Sequence, residues 1–331
     1  MNSSKTLTLS ATIEHWPIAG RFTISRGAKT EAIVVVATIT DGVHRGHGEC
    51  VPYQRYGESV EGVVRAIQEM TRALAQGLDR KGLQKAMSAG AARNAIDCAF
   101  WDFEAKRTGK PAHVLAGLPV PKPVVTAYTI SLGDPATMAQ AAEKASSRPL
   151  LKVKLGAEGD RARLAAVRAF APKSRLIVDA NEGWNDNNLA ENLAVCARAG
   201  VEMVEQPLPA QRDQALASIK RPIPVCADES AHDRSSLPEL AGKYDAVNIK
   251  LDKAGGLTEA LAMAAEAEKQ GFALMTGCMV ATSLAMAPAV LLAQQAKYVD
   301  LDGPLLLQRD RPGGLRYDKN QVFPAPVELW G

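Results

Sequence analysis

The sequence predicts an α/β protein: a parallel barrel of alternating strands and helices, preceded by a smaller α+β unit. Three observations point there. The chain has 331 residues, more than one small domain needs and enough for a large barrel plus a second unit. Its first third passes from strand-like to helical segments, whereas after Pro121 short apolar strands recur, each followed by a helical stretch. The polar residues that close those strands, Lys154, Asp179, Glu205, Asp228, Lys250, Thr276 and Asp300, are spaced by 25, 26, 23, 22, 26 and 24 residues. One strand, one helix and two loops take up about that length.

Taken in order, TLTLSATIEHW, FTISRGA and EAIVVVATITDG read as a meander of about three strands, the last closed by Asp41-Gly42. SVEGVVRAIQEMTRALAQG and GLQKAMSAGAARNAIDCAFWDFEAKRTG read as helices. The second carries Ala95, Cys98, Ala99 and Trp101 at helical spacing and stops at Gly109-Lys110-Pro111. Eight strand candidates follow: VVTAYTI, LLKVKL, RLIVDAN, VEMVEQP, IPVCADE, AVNIKLD, ALMTGCM and YVDLDGP. The expected division is an N-terminal unit at 1–118, a barrel at 119–305 and a tail at 306–331 that returns to the first unit.

Bulk properties exclude several classes. Hydrophobic residues make up 47% and charged residues 23%, a globular profile, and the net charge of +3 leaves no electrostatic footprint for nucleic acid or an acidic membrane surface. Cys50, Cys98, Cys196, Cys226 and Cys278 are scattered and odd in number, which argues against a disulfide framework or a zinc site. With no apolar run of about 18 residues and no signal-peptide core at the N-terminus, the expected location is the cytoplasm. The sequence leaves a homo-oligomeric assembly open.

Barrel active sites lie at the C-terminal mouth of the strands, where charged groups must be paired, metal-bound or solvated. Asp179, Glu205 and Asp228 end three successive strands. Three converging carboxylates raise one another's pKa values, and a hard divalent cation with oxygen ligands, Mg²⁺, resolves the conflict. Lys152 and Lys154 precede this trio on one strand and point to the same side; Lys250 follows it. Two adjacent ammonium groups are expected to depress each other's pKa and make one a base. Lysines flanking the metal on both sides supply a base for each face of one carbon, the requirement for epimerisation. Mg²⁺ on the neighbouring carboxylate would stabilise an enediolate. Asp300 and Asp302, two apart on the last strand, form a pair suited to an ammonium group.

KVK, VDANEGW, EQPLP, CADES and NIKLDKAGG, in this order, resemble the muconate-lactonizing branch of the enolase superfamily, and within it the L-Ala-D/L-Glu epimerases. FTISRGAKTEA, GECVPYQRYGES and GAARNAIDCAFWD extend the resemblance over nearly the whole chain. It implies a modified (β/α)₇β TIM-like barrel with an α+β capping domain built from both termini. It further implies Lys154 and Lys250 as acid/base groups on opposite faces, Lys152 at the substrate carboxylate, and Asp179, Glu205 and Asp228 on Mg²⁺. The intact Asp300/Asp302 pair would hold the free amine of a dipeptide. Arg26, in a closing loop, would bind a glutamate side-chain carboxylate. Tyr53, Tyr56 and Glu58 resemble a second closing loop. Thr129, Cys278 and Met279 would line the pocket, with Asn181 and Glu229 beside the metal ligands. The expected function is therefore two-base epimerisation of a small dipeptide from cell-wall peptide turnover. The competing readings are other dipeptides, a cycloisomerase, an o-succinylbenzoate synthase, and a non-catalytic ligand-binding barrel.

Overall fold

The computed structural model describes residues 6–318 and 320–331. Residues 1–5 and 319, placed by the sequence reading in the N-terminal unit and the tail, lie outside the described residues.

The N-terminal unit begins with an antiparallel sheet of β1 (Thr8–Ile24), β2 (Gly27–Thr40) and β3 (Arg45–Cys50), in that order. Two of the expected strands are a single one. The register between β1 and β2 shifts between Pro17 and Phe22, where proline cannot donate a ladder bond and the strand bends before continuing. The third strand comes from Arg45–Cys50, which the sequence reading passes over because Gly46 and Gly48 interrupt its pattern. A Cβ at either glycine would collide with the backbone of Ala99 or Ala95, so the glycines let a helix lie directly on the strand. α1 (Val60–Glu69), capped by the Ser59 hydroxyl, leads into α2 (Thr71–Ala75), and α3 (Arg80–Ala86) is capped by Asp79. The expected long helix ending at Gly109 is two helices, because Gly90 at φ 139 separates α3 from α4 (Ala91–Thr108). α4 is buried nearly throughout: Ile96, Phe100 and Phe103 pack on the sheet, and Trp101 joins the barrel core. α5 (Ala112–Leu115) and the short β4 (Val124–Val125) lead into the barrel.

The barrel strands are β5 (Tyr128–Ile130), β6 (Leu150–Lys154), β7 (Arg175–Asp179), β8 (Val201–Glu205), β9 (Val225–Ala227), β10 (Ala246–Ile249), β11 (Ala273–Thr276) and β12 (Tyr298–Val299). They are parallel neighbours in sequence order. Around them run α6 (Pro135–Lys144), α7 (Asp160–Phe170), α8 (Leu189–Arg198), α9 (Leu237–Leu240), α10 (Leu251–Ala254), α11 (Leu257–Lys269) and α12 (Ser283–Ala293). Between β12 and β5 the ring closes over a seam. Ala127 N–H donates to Val299 O at 2.8 Å, but Leu301 N–H goes to the Thr126 hydroxyl at 2.8 Å and Thr129 N–H to Asp302 Oδ2 at 2.7 Å.

Strand alternation builds the interior in layers. One side chain from each strand position, from Ala127 through Ile177 and Met203 to Tyr298, forms a closed apolar floor. Two residues further along β6 to β9, the inward positions are Lys152, Asp179, Glu205 and Asp228. The residues alternating with them, such as Val153, Val178 and Val204, face the helices. The polar layer therefore stands on a packed floor and opens only upward. The tail first meets the cap, with Leu307 bridging Ile18 and Gln308 N–H donating to Pro17 O at 2.8 Å. β13 (Tyr317–Asp318) then pairs with β14 (Gln321–Val322), which pairs in turn with β4. At the end Trp330 Nε1 donates to Cys98 O at 3.0 Å and Gly331 N–H to Asp102 Oδ1 at 2.8 Å, both on α4.

Candidate active site and metal centre

A cavity of about 620 Å³ lies between the mouth of the barrel and the cap. Lys152, Lys154, Asp228, Lys250, Asp300 and Asp302 line it from the barrel, and Phe22, Arg26, Tyr53 and Tyr56 from the cap. Thr129, Asn181, Glu229, Cys278 and Met279 also reach it; Glu58 does not. Glu58 instead accepts the Tyr53 and Ala91 N–H groups at 2.9 and 2.8 Å. Within that second loop Glu58 acts as a brace and not as a cavity-lining group: it ties the loop after β3 to the start of α4.

One oxygen from each of Asp179, Glu205 and Asp228 lies within 4.8 Å of the others, and all three residues are buried. β7, β8 and β9 are consecutive neighbours, so their last inward residues converge without any special loop. Burial, then the charge of Asp179, push the Glu205 carboxyl up to about 7. Burial acts the same way on Asp179, but the Lys154 and Lys152 ammonium groups outweigh it and hold that carboxyl well below the ordinary range. Six buried side-chain polar atoms lack a hydrogen-bond partner among the described residues. Five of them, on Asn181, Glu205, Glu229, Asn248 and Asp300, are acceptors on residues at the mouth or beside the trio; of these Glu205 Oε2 is ion-paired with Lys152 at 2.6 Å, which leaves four without a partner of either kind. Orphaned acceptors gathered around three carboxylates, with no orphaned donor, fit a hard cation.

Lys152 Nζ sits 2.6 Å from Glu205 Oε2, 2.7 Å from Asp300 Oδ2 and 3.1 Å from Asp179 Oδ2. Burial works against its charge, but each such contact contributes about 4 kcal/mol or more at an effective dielectric near 20, and three together outweigh a desolvation cost of several kcal/mol. Its pKa is accordingly raised, chiefly by Asp300 and Glu205. For Lys152 this corrects the expectation that its lysine neighbour depresses it: the carboxylates around Lys152 dominate. Lys250 Nζ lies 2.7 Å from Asp228 Oδ2, and Asp228 raises its pKa against burial in the same way. Lys154 Nζ lies 2.7 Å from Asp179 Oδ2. β6 and β10 are four strands apart in a ring of eight. Lys154 and Lys250 therefore approach the cavity from opposite arcs, with the carboxylate trio on the arc between them.

Asp300 Oδ2 is held by Lys152 while its Oδ1 has no partner, and Asp302 Oδ2 accepts the Thr129 N–H. Burial and the neighbouring Asp300 charge push Asp302 up to about 7. A cation arriving between them relieves both. Arg26 is engaged from several sides: Nη1 donates to Asn181 O at 2.8 Å and Glu182 at 3.0 Å, and Nη2 to Glu229 at 2.7 Å and to the Tyr53 hydroxyl at 3.2 Å. Its planar fork engages protein acceptors, and the side chain also lines the cavity that the sequence reading expects a glutamate carboxylate to enter. Asn181 N–H donates to Asp179 Oδ1 at 2.9 Å. Cys278 is partly exposed as a residue, but its thiol is enclosed by protein beside Asp300 and Asp302, and that enclosure together with their charges pushes its pKa up.

Two residues of this site escape the sequence reading. Lys253 is fully buried and donates to the Asp228 carbonyl, to Asp228 Oδ1 at 2.6 Å and to Asn248 O at 3.1 Å, orienting that carboxylate. Asn248 Nδ2 holds Glu205 Oε1 at 2.7 Å. Asn248 was readable, being two positions before Lys250 on an inward register. Lys253 lies in the four-residue α10, where spacing carries no signal.

Fold and site together define a metal-dependent barrel enzyme whose active site is closed by a cap. Two family models match: the mandelate racemase/muconate lactonizing enzyme N-terminal domain over residues 6–117 and the enolase C-terminal domain-like model over residues 136–322. The chain belongs to the mandelate racemase/muconate lactonizing enzyme family of the enolase superfamily. It is similar to the L-Ala-D/L-Glu epimerase of Escherichia coli K12, with 47% identity over 93% of this chain and 97% of that one. An N-acetyl-D-glutamate racemase of a Pseudoalteromonas species is 45% identical over 90% and 95% of the two chains. Among solved structures, an enolase family member from Agrobacterium tumefaciens with homology to dipeptide epimerases, bound to sodium and L-Ala-L-Glu, superposes with a TM-score of 0.97. It is 56% identical, covering 98% of this chain and 100% of that one.

Proposed function

We propose that this chain is a magnesium-dependent epimerase that inverts the α-carbon of the C-terminal residue in dipeptides of the L-Ala-D/L-Glu type. The observation that carries the reading is the placement of Lys154 and Lys250 on opposite arcs of the ring, with Asp179, Glu205 and Asp228 between them. One lysine takes the α-proton and the other returns a proton to the opposite face of the planar carbanion. Lys152, held charged, supplies fixed positive charge beside the substrate carboxylate. Asp179, Glu205 and Asp228 would hold Mg²⁺, which when bound adds positive charge where the carbanion's negative charge develops and draws the carboxylate field away from the lysines. Asp300 and Asp302 take the ammonium of the N-terminal residue, and Phe22 and the tyrosines of the cap exclude water. Residue segments 1–118, 119–305 and 306–331 remain our division of the chain into cap, barrel and returning tail. Among the described residues no helix is long and apolar enough to cross a membrane. We place the protein in the cytoplasm, acting on peptides from cell-wall turnover.

The similarity to an N-acetyl-D-glutamate racemase favours a second reading, in which the substrate carries no ammonium. Incubation in ²H₂O with Mg²⁺ separates the two. L-Ala-L-Glu is expected to exchange its glutamyl α-proton and epimerise, and N-acetylglutamate to do so at least about tenfold more slowly, the factor that corresponds to about 1.4 kcal/mol. Faster reaction of the N-acetyl compound would reverse the assignment.

The Asp302 carboxyl sets a pH dependence. Its pKa is raised to about 7, so it is largely neutral below that pH and charged above it, and an ammonium binds the charged form better. The KM for the dipeptide is expected to fall as pH rises from 6 to 7.5, a range in which an α-amino group stays mostly protonated. A flat KM across that range would count against Asp302 as an ammonium ligand.

A further inference from the structure

Glu182 takes no part in the chemistry above, yet it is the best-connected carboxylate at the rim. It follows β7 at φ 66, beside Asn181 at φ 44; asparagine adopts the left-handed region readily, but a glutamate keeps it only when the surroundings hold it there. The next residue, Gly183, packs so closely on Gly156 that a Cβ would collide with the Gly156 backbone, and Gly156 in turn abuts Ala180 and Ser25. The backbone that carries Glu182 is thus fixed. Its side chain is only 7% exposed and gathers four donors. Oε2 accepts Arg26 Nη1 at 3.0 Å and Arg55 Nε at 2.9 Å; Oε1 accepts Arg55 Nη2 at 2.7 Å and Ala210 N–H at 2.8 Å. The Arg55 contact is a two-pronged one, the strong and directional kind. Arg26 stands at the turn between β1 and β2, Arg55 in the turn after β3, and Ala210 in the loop after β8. One carboxylate joins both cap loops to the barrel.

We propose that Glu182 is a positioning residue: a fixed post on the barrel that latches both cap loops over the cavity through Arg26 and Arg55. Its loss leaves the lysines and the carboxylate trio in place but loosens the cover, so substrate is held less well while the proton transfers proceed. The kinetic part of this proposal rests on the dipeptide reading; the mechanical part does not.

Glu182→Gln keeps the shape and an acceptor for Ala210 but removes the charge. Hydrogen exchange of the Mg²⁺-supplemented full chain, without substrate, is expected to speed up at residues 24–28 and 53–57 and to stay unchanged in β6, β7 and β8. With substrate, KM is expected to rise about tenfold, the equivalent of about 1.4 kcal/mol, with kcat within about twofold. Because Arg55 and Glu182 act as one unit, Arg55→Gln/Glu182→Gln should be no worse than Glu182→Gln. Unchanged loop exchange, exchange that rises equally across the barrel strands, a lowered kcat at constant KM, or effects that multiply in the double variant would each overturn the proposal. Faster loop exchange in Glu182→Gln, with no turnover of any dipeptide by the unsubstituted chain, would support the latch and count against the substrate assignment instead.

Discussion

Lys154→Ala and Lys250→Ala are each expected to lower epimerisation by about 10²–10⁴-fold, the contribution of a positioned acid or base, while leaving one-sided exchange intact. The ring places the two amines on opposite arcs. With one removed, the survivor can still take and return the proton on its own face. In ²H₂O each variant should therefore label one stereoisomer of the dipeptide without inverting it, and the two variants should label opposite stereoisomers. Proton NMR of the glutamyl α-position reads both effects at once. Labelling of the same isomer by both variants, or full turnover by either, would refute the two-base account. A structural role alone predicts neither the residual exchange nor its reversal between variants.

Glu205→Gln is expected to weaken Mg²⁺ binding by at least about 100-fold, since even outer partners of a metal site commonly contribute 10–100-fold, and to lower kcat with it. Glu205 ends the central strand of the three and its pKa stands at about 7, so the chain keeps a carboxylate there against the repulsion of Asp179. Glutamine keeps the Asn248 contact through its amide oxygen and removes the repulsion of Asp179, but it also removes one of the three carboxylates around Lys152 and turns its amide nitrogen toward that ammonium. The thermal midpoint in the presence of a chelator is therefore expected to fall by the equivalent of about 3–5 kcal/mol, the cost of removing one partner of a buried ion pair, while circular dichroism at the assay temperature is expected to match that of the unsubstituted chain. Mg²⁺ titration followed by activity and by calorimetry tests the first claim. Unaltered Mg²⁺ affinity would remove Glu205 from the ligand set.

The barrel was legible because parallel strands buried on both faces leave short apolar runs, and because the chain needs a nearly constant length to return to the same end of the sheet. Asp179, Glu205 and Asp228 announce themselves as charge at the last inward position of such a run. Features set by long-range contact were not legible. β3 hides behind Gly46 and Gly48, whose purpose is visible only once α4 lies on them. The direction of the Lys152 pKa depends on Asp300, 148 residues further on, whereas its sequence neighbour suggests the opposite sign. Lys253 carries no signal of a role until Asp228 is found against it. Arg26 and Glu182 are 156 residues apart, and no local pattern links them.

The seam between β12 and β5 is an unusual place for a ligand-facing group. Where a regular parallel ladder would bond backbone to backbone, the Thr126 hydroxyl and the Asp302 carboxylate take the N–H groups, and Leu301 O is claimed by the Tyr317 hydroxyl at 2.7 Å. Asp302 is thus both a rivet of the cylinder and a wall of the chamber. Whatever changes its charge is felt by the circumference as well as by the chamber, so on the proposed reading, in which Asp302 takes the substrate ammonium, filling that end and tightening the hoop become a single thermodynamic event.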